Sequence, residues 1–118
     1  ILHGNDNSTL EEAGSDERTP LAAAALNGHL STVYLLLDSG ATVDSRDSAE
    51  DTPLALAAAN GHIGIAKRLV LSGANIESKS YDGATPVIIA ASNGHTEMVT
   101  ALRGLGAKMD AADDNGET

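Results

Sequence analysis

The chain contains no cysteine, no tryptophan and no phenylalanine, and Tyr34 and Tyr81 are its only aromatic residues. Without cysteine there is no disulfide and no cysteine-ligated metal to hold a fold. That usage fits an intracellular protein. The shortage of aromatics counts against one bulky globular core. The apolar fraction of 42% still suffices for a packed structure, and it is mostly alanine and leucine. Such side chains suit thin layers whose backbones come close together. Long apolar runs are missing as well. "VIIAA" at 87–91 is far shorter than the roughly 20 residues that cross a bilayer, so no membrane insertion is expected. The residues that follow Ile1 show no signal-peptide pattern.

Positive charge is scarce: 7 Lys and Arg stand against 17 Asp and Glu, a net charge of −10 over 118 residues. Binding nucleic acid rests on neutralising phosphates with basic side chains, so a direct nucleic-acid role is not expected. An anionic membrane surface is disfavoured for the same reason. A cationic protein or peptide is the partner that the charge favours, although acidity also serves solubility alone. Nothing in the composition points to a homo-oligomer.

What the chain does have is a repeat. Thr19-Pro20, Thr52-Pro53 and Thr85-Pro86 recur at a spacing of 33 residues. Gly28-His29, Gly61-His62 and Gly94-His95 keep the same period, as do Gly40-Ala41, Gly73-Ala74 and Gly106-Ala107. Three dipeptides sharing one period mark an internal repeat. Adding the period to Thr85 gives Thr118, so a further unit is expected to begin at 114–118.

Each landmark has a mechanical reading. Threonine is an N-cap whose hydroxyl accepts a bond from an otherwise unpaired N–H, and proline follows where a missing donor costs nothing. A short helix then runs through "LAAAALN", "LALAAAN" or "VIIAASN" and stops at Asn-Gly. A second helix, such as "LSTVYLLLDS", ends at Gly40, Gly73 or Gly106, each suited to a left-handed C-cap. An extended stretch and a turn lead to the next Thr-Pro. Helices this short must gain stability by stacking on neighbouring units, and the alanine pairs at 24–25, 57–58 and 90–91 permit close approach.

The turn, Thr-Pro-Leu, paired alanines, Gly-His, paired leucines and Gly-Ala make the chain resemble the ankyrin-repeat family over about 100 of its 118 residues. The resemblance implies an all-α repeat solenoid of stacked helix-turn-helix units with projecting β-turn or hairpin loops. The expected units are 15–47, 48–80 and 81–113. Residues 1–14 are expected to be the tail of a preceding repeat or an irregular N-terminal segment. Several positions depart from the family pattern. Ala22, Ala55 and Ile88 replace its usual histidine, and Arg103 stands where Leu37 and Val70 stand. By that register Arg103 should face the core and weaken the last helix. The turn glycine is kept as Gly83 and Gly116 but replaced by Glu17 and Glu50, so those two turns are expected to have a different backbone shape. Asp44, Glu77 and Asp110 occupy positions where the family often has a hydroxylatable asparagine, so the asparagine form of that modification is not expected.

No catalytic, cofactor or metal site is expected. His29, His62 and His95 fall one per layer, roughly 10 Å apart for stacked helices. Ligands sharing a zinc at about 2 Å cannot be that far apart, and a helix-start residue repeated with the unit is the better reading. No serine sits in a nucleophile elbow, and the glycines form neither a dinucleotide fingerprint nor a phosphate loop. The acidic "DSAED" at 47–51 lacks the alternation of a calcium hand and reads as a solvated turn.

The resemblance implies a non-enzymatic protein–protein interaction module, part of a scaffold, adaptor or regulator. Its binding residues would be Asp16, Arg18, Glu50, Asp51, Tyr81 and Asp82 on the turn fingers. Leu26, Asn27, Asn60 and Asn93 would join them from the first-helix edge. Asp16, Glu17, Glu50, Asp51 and Asp82 fall at matching turn positions and should stack into a negative ridge, with Tyr81 as its apolar anchor. Two alternatives stay open: a structural spacer in a longer array, and the substrate-recruiting repeats of a multidomain enzyme.

Overall fold

The computed structural model describes residues 18–109. The segment expected at 1–14, Asp16, Glu17 and the unit expected to begin at 114 lie outside them. Among the described residues there are six helices and no strand. They are α1 (Pro20–Asn27), α2 (Leu30–Asp38), α3 (Pro53–Ala59), α4 (Ile63–Leu71), α5 (Pro86–Ser92) and α6 (Thr96–Gly104). They form three pairs in sequence order, each first helix packed against the second helix that follows it. The first helices α1, α3 and α5 pack one upon the next, and the second helices α2, α4 and α6 form an outer row behind them. This is the expected all-α repeat solenoid.

The helix starts follow from the threonines. Thr19 and Thr52 Oγ1 accept from the N–H of Ala22 and Ala55, each at 3.2 Å. The same hydroxyls pair with Ser45 Oγ at 2.9 Å and Ser78 Oγ at 3.5 Å. Thr85 caps α5 by position only, because its buried Oγ1 has no partner. One period on from Ser45 and Ser78 the sequence has Ala111, which carries no hydroxyl. The second helices end in a Schellman motif: after α2, Gly40 N–H bonds Leu37 O at 3.1 Å and Ala41 N–H bonds Leu36 O at 3.0 Å.

The core is a row of Leu21, Leu54, Leu69 and Leu102 with Val33 and Met98, set among alanines at 25, 57, 58, 66 and 90. Ala91, on the last described inner helix, is exposed. Layers are also stitched by polar contacts. His62 Nε2 donates to the Leu26 carbonyl at 3.1 Å and His95 Nε2 to the Ala59 carbonyl at 2.9 Å. The His62 ring lies over Gly28, where a Cβ would sit only 2.7 Å from it, so the Gly-His pairs interlock across layers. Between the loops that follow the second helices, Asp44 Oδ2 accepts from Asn75 N–H at 3.0 Å and Glu77 Oε2 from Lys108 N–H at 2.7 Å. The acids at the family's asparagine positions thus tie successive loops together.

Two expectations fail. Arg103 does not face the core; it is exposed, whereas Leu37 and Val70 are half-buried against the core. A long charged side chain at the rim of a helix can turn outward and keep its head in water. Glu50 does not change the shape of its turn. Its φ of 62° is left-handed, like the 85° of Gly83 at the matching position. The turn imposes that conformation: Asp47 Oδ1 accepts from both Ala49 N–H (3.0 Å) and Asp51 N–H (2.9 Å), while Arg46 donates to the Glu50 carbonyl at 2.9 Å.

A left-handed non-glycine residue costs about 1–2 kcal/mol, which glycine would recover less its greater loss of chain entropy. Glu50→Gly should therefore raise stability by roughly 0.5–1 kcal/mol in urea denaturation, and a lowered midpoint would show that the turn is not strained. The caps give a paired test. Thr52→Val should cost about 1 kcal/mol through the lost cap bond, whereas Thr85→Val should be close to neutral, since that hydroxyl is buried unpaired. Equal losses in thermal melts would contradict the difference.

Candidate functional site

Two fingers project between the helix pairs, one before α3 and one before α5. Their tips close in the same way. Asp47 N–H bonds Asp51 O at 3.2 Å and Glu50 N–H bonds Asp47 O at 2.9 Å; Ser80 N–H bonds Ala84 O at 3.0 Å and Gly83 N–H bonds Ser80 O at 2.9 Å. This is a hairpin-like turn with a left-handed fourth residue. The fingers are fastened to each other. Tyr81 N–H donates to Ala49 O at 3.0 Å, and Arg46 Nη1 reaches both Glu50 O and Lys79 O, the latter at 2.7 Å.

An open cleft of about 370 Å³ lies between these tips and α5. Ala49 and Asp51 come from one finger and Ser80, Tyr81, Asp82 and Ala84 from the next, while Ile89, Ser92 and Asn93 come from α5 and its cap. Tyr81 is 78% exposed although its backbone is pinned. The other tyrosine, Tyr34 on α2, is less exposed and has the Arg68 guanidinium over its ring, 4.7 Å from the centroid. The two carboxylates of the cleft differ in character. Burial pushes the Asp51 pKa up, and the nearby Asp47 and Asp82 charges push it further. The Ser80 hydroxyl donates to Asp82 Oδ1 at 2.7 Å and draws the Asp82 pKa down.

The family model for ankyrin repeats, in three copies, matches residues 1–80 and 54–118. The chain belongs to the ankyrin-repeat family. Ankyrin repeats are generally protein–protein interaction modules, typically without catalytic activity. No curated protein matches the chain. Among the described residues, no helix is long and apolar enough to cross a membrane.

Within this ankyrin array the residues singled out from sequence divide into two groups. Asp51, Tyr81, Asp82 and Asn93 meet at the cleft, Asn93 with its amide already donating to Ile89 O at 2.9 Å. Glu50 is exposed at the finger tip beside them. The remaining described ones are engaged within the fold. Arg18 pairs with Asp47 at 3.4 Å, Asn27 donates to Ala23 O at 3.0 Å, and Asn60 donates to Leu26 O at 2.8 Å. Leu26 is half-buried, and its carbonyl also receives His62. Asp16 lies outside the described residues. The "DSAED" turn is only partly solvated, because Asp47 is buried and organises its tip. Ile89 and Ser80 were missed. Size gives no signal for Ile89, because Leu56 at the matching position of the preceding unit is as large and is buried.

Asp51 yields a pH test. Its folded pKa lies above the ordinary 3.8, so the folded chain holds this proton more tightly than the unfolded one. Its contribution therefore lowers stability as pH rises through that window and is fully unfavourable at neutral pH. Asp51→Asn should raise the melting temperature at pH 7. The gap to wild type should close as the pH falls through the raised pKa and vanish below 3.8. A variant less stable than wild type at pH 7 would mean the carboxylate is needed by the fold.

Proposed function

We propose that this ankyrin-repeat chain is a non-enzymatic binding module that seats a cationic segment of a partner protein against the acidic finger edge, with Tyr81 as its anchor. The observation that carries this reading is the cleft, where two carboxylates and an exposed aromatic ring from successive fingers converge beside Ile89. An acidic edge speeds encounter and selects for charge, but exposed charges add little net affinity. The ring supplies contact area that can be desolvated, and tyrosine is enriched among binding hot spots. Because the tips are tied by Arg46 and by the Tyr81–Ala49 bond, little ordering is left for binding to impose. The absence of cysteine suits an intracellular setting.

Affinity capture with the whole chain would supply partners for kinetic measurement. Tyr81→Ala should weaken binding by about 1–2 kcal/mol, mainly through faster dissociation. Asp51→Asn with Asp82→Asn should chiefly slow association and flatten its dependence on salt. A partner whose affinity ignores both salt and Tyr81 would leave this edge a solvated one.

A further inference from the structure

Among the described residues no ion pair reaches the carboxylates of the cleft, although the Arg18 and Arg46 charges act on Asp51 from a distance and partly offset the rise in its pKa. Asp51 is half-buried, and no donor among the described residues reaches its carboxylate oxygens. The basic side chains nearest to it are engaged: Arg46 spans the Glu50 and Lys79 carbonyls, and Arg18 pairs with Asp47. Asp82 is fully exposed on the neighbouring finger, held by the Ser80 hydroxyl at Oδ1 and by the backbone N–H groups of 82 and 84, and its charge helps to raise the Asp51 pKa. Between them stand the exposed Tyr81 ring and the apolar surface of Ala84 and Ile89.

Resting on the cationic reading above, we infer that the cleft is an arginine pocket: a partner's arginine places its guanidinium between Asp51 and Asp82, its planar face on Tyr81, and its methylenes along Ile89 and Ala84. Each part of the lining matches a part of that side chain. A guanidinium offers five donors in a flat fork, enough to serve two carboxylates at once while stacking on a ring. Lysine presents a compact, strongly hydrated charge that can approach one carboxylate but gains less from the ring. A purely apolar side chain would strip water from Asp51 and return no hydrogen bond. An anion would meet two like charges. The volume of about 370 Å³ leaves space for the arginine and for the main chain that carries it.

The inference is tested by titrating the isotope-labelled whole chain with three synthetic peptides, Gly-Ser-Gly-X-Gly-Ser-Gly, where X is arginine, lysine or citrulline. Amide chemical shifts report both affinity and place. The expected result is saturable shifts confined to 49–51, 80–84 and 89–93. Arginine should bind about threefold or more tighter than lysine, and citrulline should fail, since it keeps the shape and loses the charge. Asp51→Asn and Tyr81→Ala should each weaken arginine binding, with the spectrum elsewhere unchanged as the check on folding. Equal binding of arginine and lysine at these residues would overturn the arginine assignment while leaving the cationic reading in place. Citrulline matching arginine, or no localised shift with any peptide, would overturn both.

Discussion

Helices of seven to nine residues cannot hold themselves in water, because nucleation is costly and few hydrogen bonds follow it. The whole structure therefore depends on contact between layers. Alanine makes that contact possible by letting inner helices approach, and the interlocked Gly-His pairs fix its register. His62 fits because Gly28 has no side chain, and its ring then reaches the Leu26 carbonyl of the preceding layer. The glycine thus serves two needs together, since its φ of 79° also closes α1. A residue placed there would have to violate both the backbone and the neighbouring ring.

The same dependence explains how the fingers stay in place. A projecting turn buries little apolar surface and has to be held by polar ties. Here those ties run within and between fingers: the buried Asp47 organises one tip, and Arg46 crosses to the next. Glu50 sits in a conformation that its side chain does not favour, held there by these bonds. A strained residue in a well-fastened loop indicates that the loop shape is imposed from outside the residue. The cleft beside it is framed by fingers that are already tied to each other.

The repeat made most of the fold legible from sequence. Thr-Pro, Asn-Gly and Gly-Ala each name a backbone event, and their shared period fixed the order of helices. Side-chain direction was less legible. Arg103 was assigned inward by register, but a long charged side chain at a helix rim can choose water. Glu50 was expected to reshape its turn through its own preference, yet the hydrogen bonds of Asp47 and Arg46 outweigh it. Asp47 itself looked like one more solvated acid, because local sequence does not reveal that a neighbouring arginine and two N–H groups await its carboxylate. Of the candidate site, the finger residues were legible as matching turn positions. Ile89 was not, because a β-branched residue in a first helix reads as core until the stack shows it half-buried at a cleft.

Periodicity also shows why chemistry gathers at one layer. Stepping back 33 residues from the cleft, Tyr81 becomes Ser48, Asp82 becomes Ala49 and Asp51 becomes Arg18. The framework is kept across that step, as Thr52, Asn60 and Gly61 answer to Thr85, Asn93 and Gly94. The preceding layer therefore has the same backbone frame, but a serine in place of the ring and an arginine in place of Asp51. That arginine finds an internal partner in Asp47, whereas one repeat later Ser80 stands at the Asp47 position and turns its hydroxyl to Asp82. Charge is paired directly in one layer, while in the next no ion pair among the described residues reaches the acid. Residues that hold the fold must repeat, because every layer faces the same packing problem. Residues that recognise a partner are free of that constraint, and a cleft where the repeat breaks in charge and aromaticity while its backbone continues is where recognition chemistry can be placed without cost to the stack.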